Sequence, residues 1–199
     1  ILSYGSGLIA GIITRDSRYL MSPQNDLTFK ILFGSYKNAH LLSFLVSALT
    51  GESPGKITIL NPFLLRNYPL EKESILDING RTEQGYQVFV EMQRSRLLSI
   101  PDRMLFYWAK THASQEIKGK DYFSLKRAIG ICILGFPLYF FDEPVTCYQT
   151  LERKEHERLS ENLDLFFSSW KTIIIQKHRK TPMIYGHEEH FWEQRLKRR

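Results

Sequence analysis

Two short alternating segments constrain this chain more than any other feature: residues 74–79 (Ser-Ile-Leu-Asp-Ile-Asn) and residues 87–93 (Gln-Val-Phe-Val-Glu-Met-Gln). Gly80-Arg81-Thr82-Glu83-Gln84-Gly85 lies between them, with glycine at both ends. Alternation is the period of a strand, and a glycine-bounded connector reads as a tight loop, so the pair predicts a β-hairpin. Residues two apart in a strand share a face. Asp77 then lies with Ile75 and Asn79, while Glu91 and Gln93 lie with Gln87 and Phe89. The other face of the second strand (Val88, Val90, Met92) is wholly apolar and is expected to contact a helix. With this loop, Asp77 falls opposite roughly residues 88–91, where the two carboxylates can meet.

Carboxylates inside apolar strands are costly, so such groups are usually paired or hold a metal. Two carboxylates and a nearby carbonyl suit a hard divalent cation such as Mg²⁺. That ion can activate water and neutralise the charge that develops during phosphodiester hydrolysis. The competing reading puts Asp77 and Glu91 on the solvent face of a two-sided hairpin, paired with Lys72 or Arg81. Spacing alone leaves both open.

The rest of the middle reads as mixed α/β. Leu27, Ile31 and Phe33 start a helical apolar face that Gly34 breaks. A second helix is expected over 37–49, with Leu41, Leu42, Leu45, Val46 and Leu49 at helical spacing and Gly51 as its stop. Residues 57–65 predict an edge or bulged strand, interrupted by Pro62. Ser99-Ile100-Pro101-Asp102 opens a helix, with serine as a cap, that runs to about residue 117. Residues 128–136 are continuously apolar and isoleucine-rich, as in a buried strand. Residues 152–165 are charged and read as a solvated turn or short helix.

Composition excludes several classes. Of 199 residues, 43% are hydrophobic, too many for a disordered chain, and the length suits one domain with extensions. Two cysteines are too few for a disulfide framework or a four-cysteine zinc site, and Cys132 reads as a buried thiol. The longest apolar stretch, residues 128–141, includes Pro137 and is shorter than the ~18–20 residues a bilayer needs. His187-Glu188-Glu189-His190 lacks the i, i+4 histidines of a zinc-protease helix. Glu71-Lys72-Glu73 reads as a solvated turn. The net charge is +6, yet residues 177–199 alone carry seven Lys/Arg against three acids, so the basic balance says little about the middle. Residues 1–20 lack the order of a signal peptide, and Met21 is the expected start, with 1–20 as an upstream or floppy lead.

Several segments carry a family resemblance. Asn25-Asp26-Leu27-Thr28-Phe29-Lys30-Ile31-Leu32-Phe33-Gly34 resembles the N-terminal signature of the recombination-promoting nuclease and transposase family, a branch of the PD-(D/E)XK nuclease superfamily. The resemblance continues through Asn61-Pro62, Ser74-Ile75-Leu76-Asp77, Val90-Glu91-Met92-Gln93 and Arg103-Met104-Leu105-Phe106-Tyr107-Trp108-Ala109-Lys110. It resumes at Gly119-Lys120-Asp121-Tyr122 and the strand near residues 129–136, covering about residues 22–166.

The resemblance implies an α/β, restriction-endonuclease-like core, a central mixed sheet flanked by helices, over residues 21–166. It also implies Mg²⁺-dependent DNA cleavage in recombination or mobile-element movement. Asp77 matches the first acid of the superfamily pattern, Glu91 the second, and Gln93 takes the position of the lysine. That subfamily commonly carries glutamine there. Glutamine hydrogen-bonds but brings no charge, so stabilisation must come from the metal or another residue. Arg103, Tyr107 and Lys110, at i, i+4 and i+7, share a helix face and are candidates to supply charge or hold a phosphate. An ordinary amphipathic helix with long side chains is the alternative. Arg94 and Arg96 are further candidate DNA contacts. Asp26 and Lys30 are i, i+4 neighbours, and Asp26 is either a third acid near the metal or a helix cap.

DNA is thus the expected partner, in a cytoplasmic, nucleoid-associated protein without a membrane segment; a homo-oligomer is left open. Residues 167–199 are expected to be an irregular basic tail. Read one base displaced, some codon choices for Ser168-Ser169-Trp170-Lys171-Thr172 restore the Phe-Leu-Glu-type continuation of the family. A reading-frame change near Phe167 is therefore expected, to be checked in the nucleotide sequence. On that expectation the alternative function is a non-catalytic DNA-binding or interaction protein, a degraded mobile-element relic.

Overall fold

The computed structural model describes residues 24–60, 63–64, 74–115, 121–136 and 145–170. The expectations for residues 1–20, Met21, Glu71-Lys72-Glu73, His187–His190 and the basic tail beyond 170 lie outside the described residues. The helix opened by Ile100 ends at Ala113, short of the expected end near 117.

Helix α1 (Asp26–Phe33) is opened by Asn25, whose side-chain oxygen accepts from the N–H groups of Leu27 and Thr28 at 3.0 and 3.3 Å. Those are two of the donors that a helix start leaves without a backbone partner. Asn25, not Asp26, is the cap; Asp26 is the first helical residue and pairs with Lys30 one turn later, at 3.0 Å. A 3-10 turn, Tyr36–Asn38, delays helix α2 (Ala39–Thr50) beyond the expected start at 37. Gly51 ends α2 at φ 75°, a left-handed conformation that costs glycine nothing.

The strands are β1 (Thr58–Ile59), β2 (Phe63–Leu64), β3 (Ser74–Ile75), β4 (Ile78–Arg81), β5 (Gln87–Gln93), β6 (Ala128–Leu134), β7 (Val145–Tyr148) and β8 (Leu163–Ser169). Helix α3 (Ile100–Ala113) lies between β5 and β6. Six strands form one mixed sheet in the order β1-β4-β5-β6-β8-β7, and β2 pairs with β3 alone. Strands β5, β6 and β8 run parallel, while β4 and β7 pair antiparallel with β5 and β8. The sheet flanked by helices is the α/β, restriction-endonuclease-like architecture that the resemblance implies.

Each sheet face has its own core. Val88, Val90 and Met92 of β5 and Ile129, Ile131 and Ile133 of β6 pack with Phe29 and Phe33 of α1 and the buried leucines of α2. On the other face, Phe89, Cys132, Leu163, Leu165 and Phe167 pack with Ile100 and Met104 of α3. Alternation along β5 thus sends its apolar triad to α1 and α2, and Phe89 to α3. Trp108 pins α3 across two strands, its indole N–H donating to Ala128 O at 3.1 Å and Asn162 O at 3.3 Å.

Three strand expectations change. Residues 57–65 divide into β1 and β2, which belong to different sheets. Residues 74–79 divide at a bend into β3 and β4, so Leu76 packs on the α3 side and Ile78 on the α1/α2 side. Ile75 lies in β3, paired with β2 in the small sheet, and Asp77 lies between β3 and β4, so the two are not on one strand as expected. The connector is also shorter than expected, because Gly80 and Arg81 remain in β4 opposite Val88 and Gln87. Residues 152–162 form turns as expected, but β8 begins at Leu163 and continues past the expected boundary at 166. Phe167, Ser168 and Ser169 pair with β6 and Trp170 is buried in the α1/α2 core. Ser99 occupies the position before α3 without a side-chain capping bond; only its carbonyl accepts, from Arg103 N–H at 2.9 Å.

Candidate active site

The hairpin register sets Ile78 opposite Val90 and Asn79 opposite Phe89, so Asp77 and Glu91 are the next residues out. There the backbone ladder gives way to side chains. The Asp77 N–H donates to Glu91 Oε1 at 2.9 Å, and the Met92 N–H donates to Asp77 Oδ2 at 2.9 Å. Each carboxylate thus satisfies a backbone donor on the other strand, which explains why β4 begins only at Ile78. The exchange brings both carboxyl groups to one spot. Glu91 is 5% exposed and the Asp77 side chain 13% exposed, so the solvent-face reading fails. Among the described residues the cation at Asp77 is Lys30 rather than the expected Arg81; the other expected partner, Lys72, lies outside the described residues.

Among the described residues, two cations reach this spot from opposite faces of the sheet. Lys30 of α1 lies 3.1 Å from Asp77 Oδ1 and 3.0 Å from Asp26 Oδ2. Arg103 of α3 donates to Gln93 Oε1 at 2.6 Å, and its Nη2 lies 3.9 Å from Glu91 Oε2. Gln93 in turn donates to Ser95 O at 3.0 Å. Arg103 Nε is buried with no hydrogen-bond partner among the described residues, which leaves a donor beside the carboxylates.

Burial, with the Asp77 charge beside it, pushes the Glu91 carboxyl up to about 8. Burial pulls the Lys30 ammonium down, but its bonds to Asp26 and Asp77 outweigh that, so its pKa is raised and it stays a cation. Burial, followed by the Glu91 charge, pushes the Cys132 thiol on the neighbouring strand up to about 12, so it is the buried thiol expected.

Asp77, Glu91, Gln93, Arg103 and Lys30 come together, with Asp26 joined through Lys30. Tyr107 packs edge-on against Phe89 (ring centroids 6.5 Å apart), and burial raises its phenol pKa. Lys110 lies over the Phe106 ring at 5.8 Å. Arg94 and Arg96 sit in the exposed segment after β5, Arg96 lying over Phe136 at 5.9 Å. These last three are outside the carboxylate cluster.

A family model describing PD-(D/E)XK nuclease family transposases matches residues 23–194 of the 199. The chain belongs to this family. The match runs past residue 167, where a frame change was expected. No curated protein and no solved structure matches.

In this PD-(D/E)XK transposase, the carboxylates are hard oxygen donors with a cation already against one of them. Among the described residues no three His, Cys, Asp or Glu side chains cluster as a metal cage. Two carboxylates nevertheless fit Mg²⁺, which keeps several waters and binds through one or two carboxylates plus substrate phosphate.

Sequence reasoning missed a second buried acid. Asp164 of β8 is 0% exposed and takes Arg127, Arg158 and Gln149 as partners, the last two at 2.7 and 2.6 Å. Arg127 also bonds both oxygens of Glu52, at 2.9 and 2.7 Å. The signal was the one that marked Asp77 and Glu91: a carboxylate inside an apolar strand.

Proposed function

We propose that this protein is a metal-dependent DNA endonuclease that hydrolyses phosphodiester bonds, with Asp77 and Glu91 as the Mg²⁺-binding residues. The observation that carries this reading is the buried carboxylate pair flanked by Lys30 and Arg103, in a chain of a nuclease-transposase family. Bound there, the ion supplies Lewis-acid polarisation of the phosphate and a lowered pKa for water.

The chain's own residues do the rest. Arg103, a planar fork of donors that stays charged, is suited to a phosphate oxygen. Gln93 fixes the Arg103 guanidinium by accepting its hydrogen bond, and helps orient water or phosphate through its amide. The water oxygen bonds to phosphorus and its proton passes to solvent. The P–O bond to the sugar breaks in line, and the leaving oxygen takes a proton from solvent. DNA is the partner, and Arg94 and Arg96 lie exposed where a backbone can reach them.

A plasmid-nicking assay with Mg²⁺ tests the reading. Wild type is expected to nick, and Asp77→Ala to fall to background. Equal activity in the two proteins, or none in either, defeats it. The uncharged Gln93 favours one second reading, a DNA-binding protein without turnover; it would shift DNA in a gel, with or without Mg²⁺, and leave it intact.

A further inference from the structure

We infer that Lys30, on helix α1, is the cation that holds and stabilises the attacking oxygen in this site. The inference rests on the hydrolase reading and assigns a role which that reading leaves open. Attack on a phosphodiester brings a partly anionic oxygen up to an anionic phosphate, between two carboxylates. Preformed positive charge at that point lowers the barrier, because it needs no reorganisation as the reaction proceeds.

The hairpin does not provide that charge: Gln93 is neutral, its oxygen accepts from Arg103, and one of its N–H groups goes to Ser95 O. Among the described residues two cations stand against the carboxylates, and their chemistry divides the work. Arg103 is near Glu91 and presents a flat fork that matches two phosphate oxygens. Lys30 is a compact point charge 3.1 Å from Asp77 Oδ1. An ammonium has three donors. Asp26 and Asp77 take two, at 3.0 and 3.1 Å, which among the described residues leaves one N–H for an oxygen bound beside Asp77.

The fold fixes the ammonium in place. Phe29, the residue before Lys30, is fully buried in the core, Asn25 caps the helix, and Asp26 holds the side chain from one turn earlier. Asp26 therefore acts as a positioning residue through Lys30, without touching the reacting atoms.

The experiment moves the charge. Lys30→Gln, Lys30→Arg and the double variant Lys30→Gln/Gln93→Lys are compared with wild type in Mg²⁺-dependent nicking. Each is also titrated with Ca²⁺ by calorimetry, which reads the metal site without turnover. Lys30→Gln is expected to lose about 100-fold in rate, the scale of one deleted electrostatic donor. It should bind Ca²⁺ at least as tightly as wild type, because a cation beside Asp77 has been removed. Gln93→Lys in that background should restore at least about tenfold, since the charge returns to the same pair of carboxylates.

Lys30→Arg keeps the ion pairs and hence the fold, but not the compact ammonium, and should be at least about tenfold slower than wild type. Wild-type turnover in Lys30→Gln or Lys30→Arg overturns the inference. So does loss of Ca²⁺ binding along with activity, or a double variant no faster than Lys30→Gln; either would mark Lys30 as a structural strut. An active wild type with unaffected Lys30 variants overturns this inference alone. An inactive wild type overturns it together with the hydrolase reading.

Discussion

Glu91 is buried against Asp77, and both burial and that neighbour favour its neutral form, up to about 8. In the metal-free protein the native state therefore holds a proton that the unfolded chain has released, over the window from the usual glutamate value of 4.5 to about 8. Stability falls wherever the native state binds more protons than the unfolded state. Thermal unfolding in a chelator should thus give a midpoint that is highest below the usual glutamate value and declines as pH rises towards 8. Glu91→Gln should flatten that slope. Mg²⁺ must displace the same proton, so its affinity in calorimetry should climb over the same window and level off above it. The acids of this site were legible because a carboxylate in an apolar strand needs a partner. Lys30 was legible only as a neighbour of Asp26, since nothing local ties residue 30 to residue 77.

At the scale of elements, α1 and α2 followed from their periodicity and the glycine after each, and α3 from the Ser-Ile-Pro-Asp that opens it, while the hairpin followed only in part. No glycine or proline interrupts residues 74–79, yet the ladder stops at Ile78 because the Asp77 and Glu91 side chains take over its hydrogen bonds. A long-range exchange of that kind leaves no local pattern. Strand β6 makes a second point. A Cβ added at Gly130 would fall 2.5 Å from the Phe89 ring and 2.6 Å from Leu165 Cδ2. The sheet approaches its α3-side core closely there, so Gly130→Ala should overpack the α3-side core. Denaturant unfolding should show a loss of about 1–3 kcal/mol, with no change in metal affinity.

At the scale of the whole molecule, the described residues hold two buried charge clusters, one around Asp77 and Glu91 and one around Asp164. In the parallel register Glu91 pairs with Cys132, and Asp164 with Ile129, three residues back along β6 and one strand further over. That offset is roughly 10 Å along the strands, at ~3.3 Å per residue. Asp164 ties Arg127, Arg158 and Gln149 together and links them to Glu52, just after α2. Asp164→Ala would take the buried carboxylate from both arginines, leaving Arg127 with Glu52 and Arg158 with the exposed Glu161, so unfolding should show a loss of about 3–5 kcal/mol. The protein that remains folded should bind Ca²⁺ as wild type does. No helix among the described residues is long and apolar enough to cross a membrane.

By itself the sequence determined the α/β class, both faces of β5, the helices around it and the two acids that meet across the hairpin. Those features are written in periods of two and 3.6 residues, and such periods follow from backbone geometry alone. Tertiary structure decided which cation serves which acid, where the ladder ends, and that Phe167, Ser168 and Ser169 belong to the sheet. Each of these depends on contacts between residues far apart in the chain. Lys30 and Asp77 meet only because α1 packs on the sheet, and Ser168 gains its partners only when β6 and β7 lie beside it.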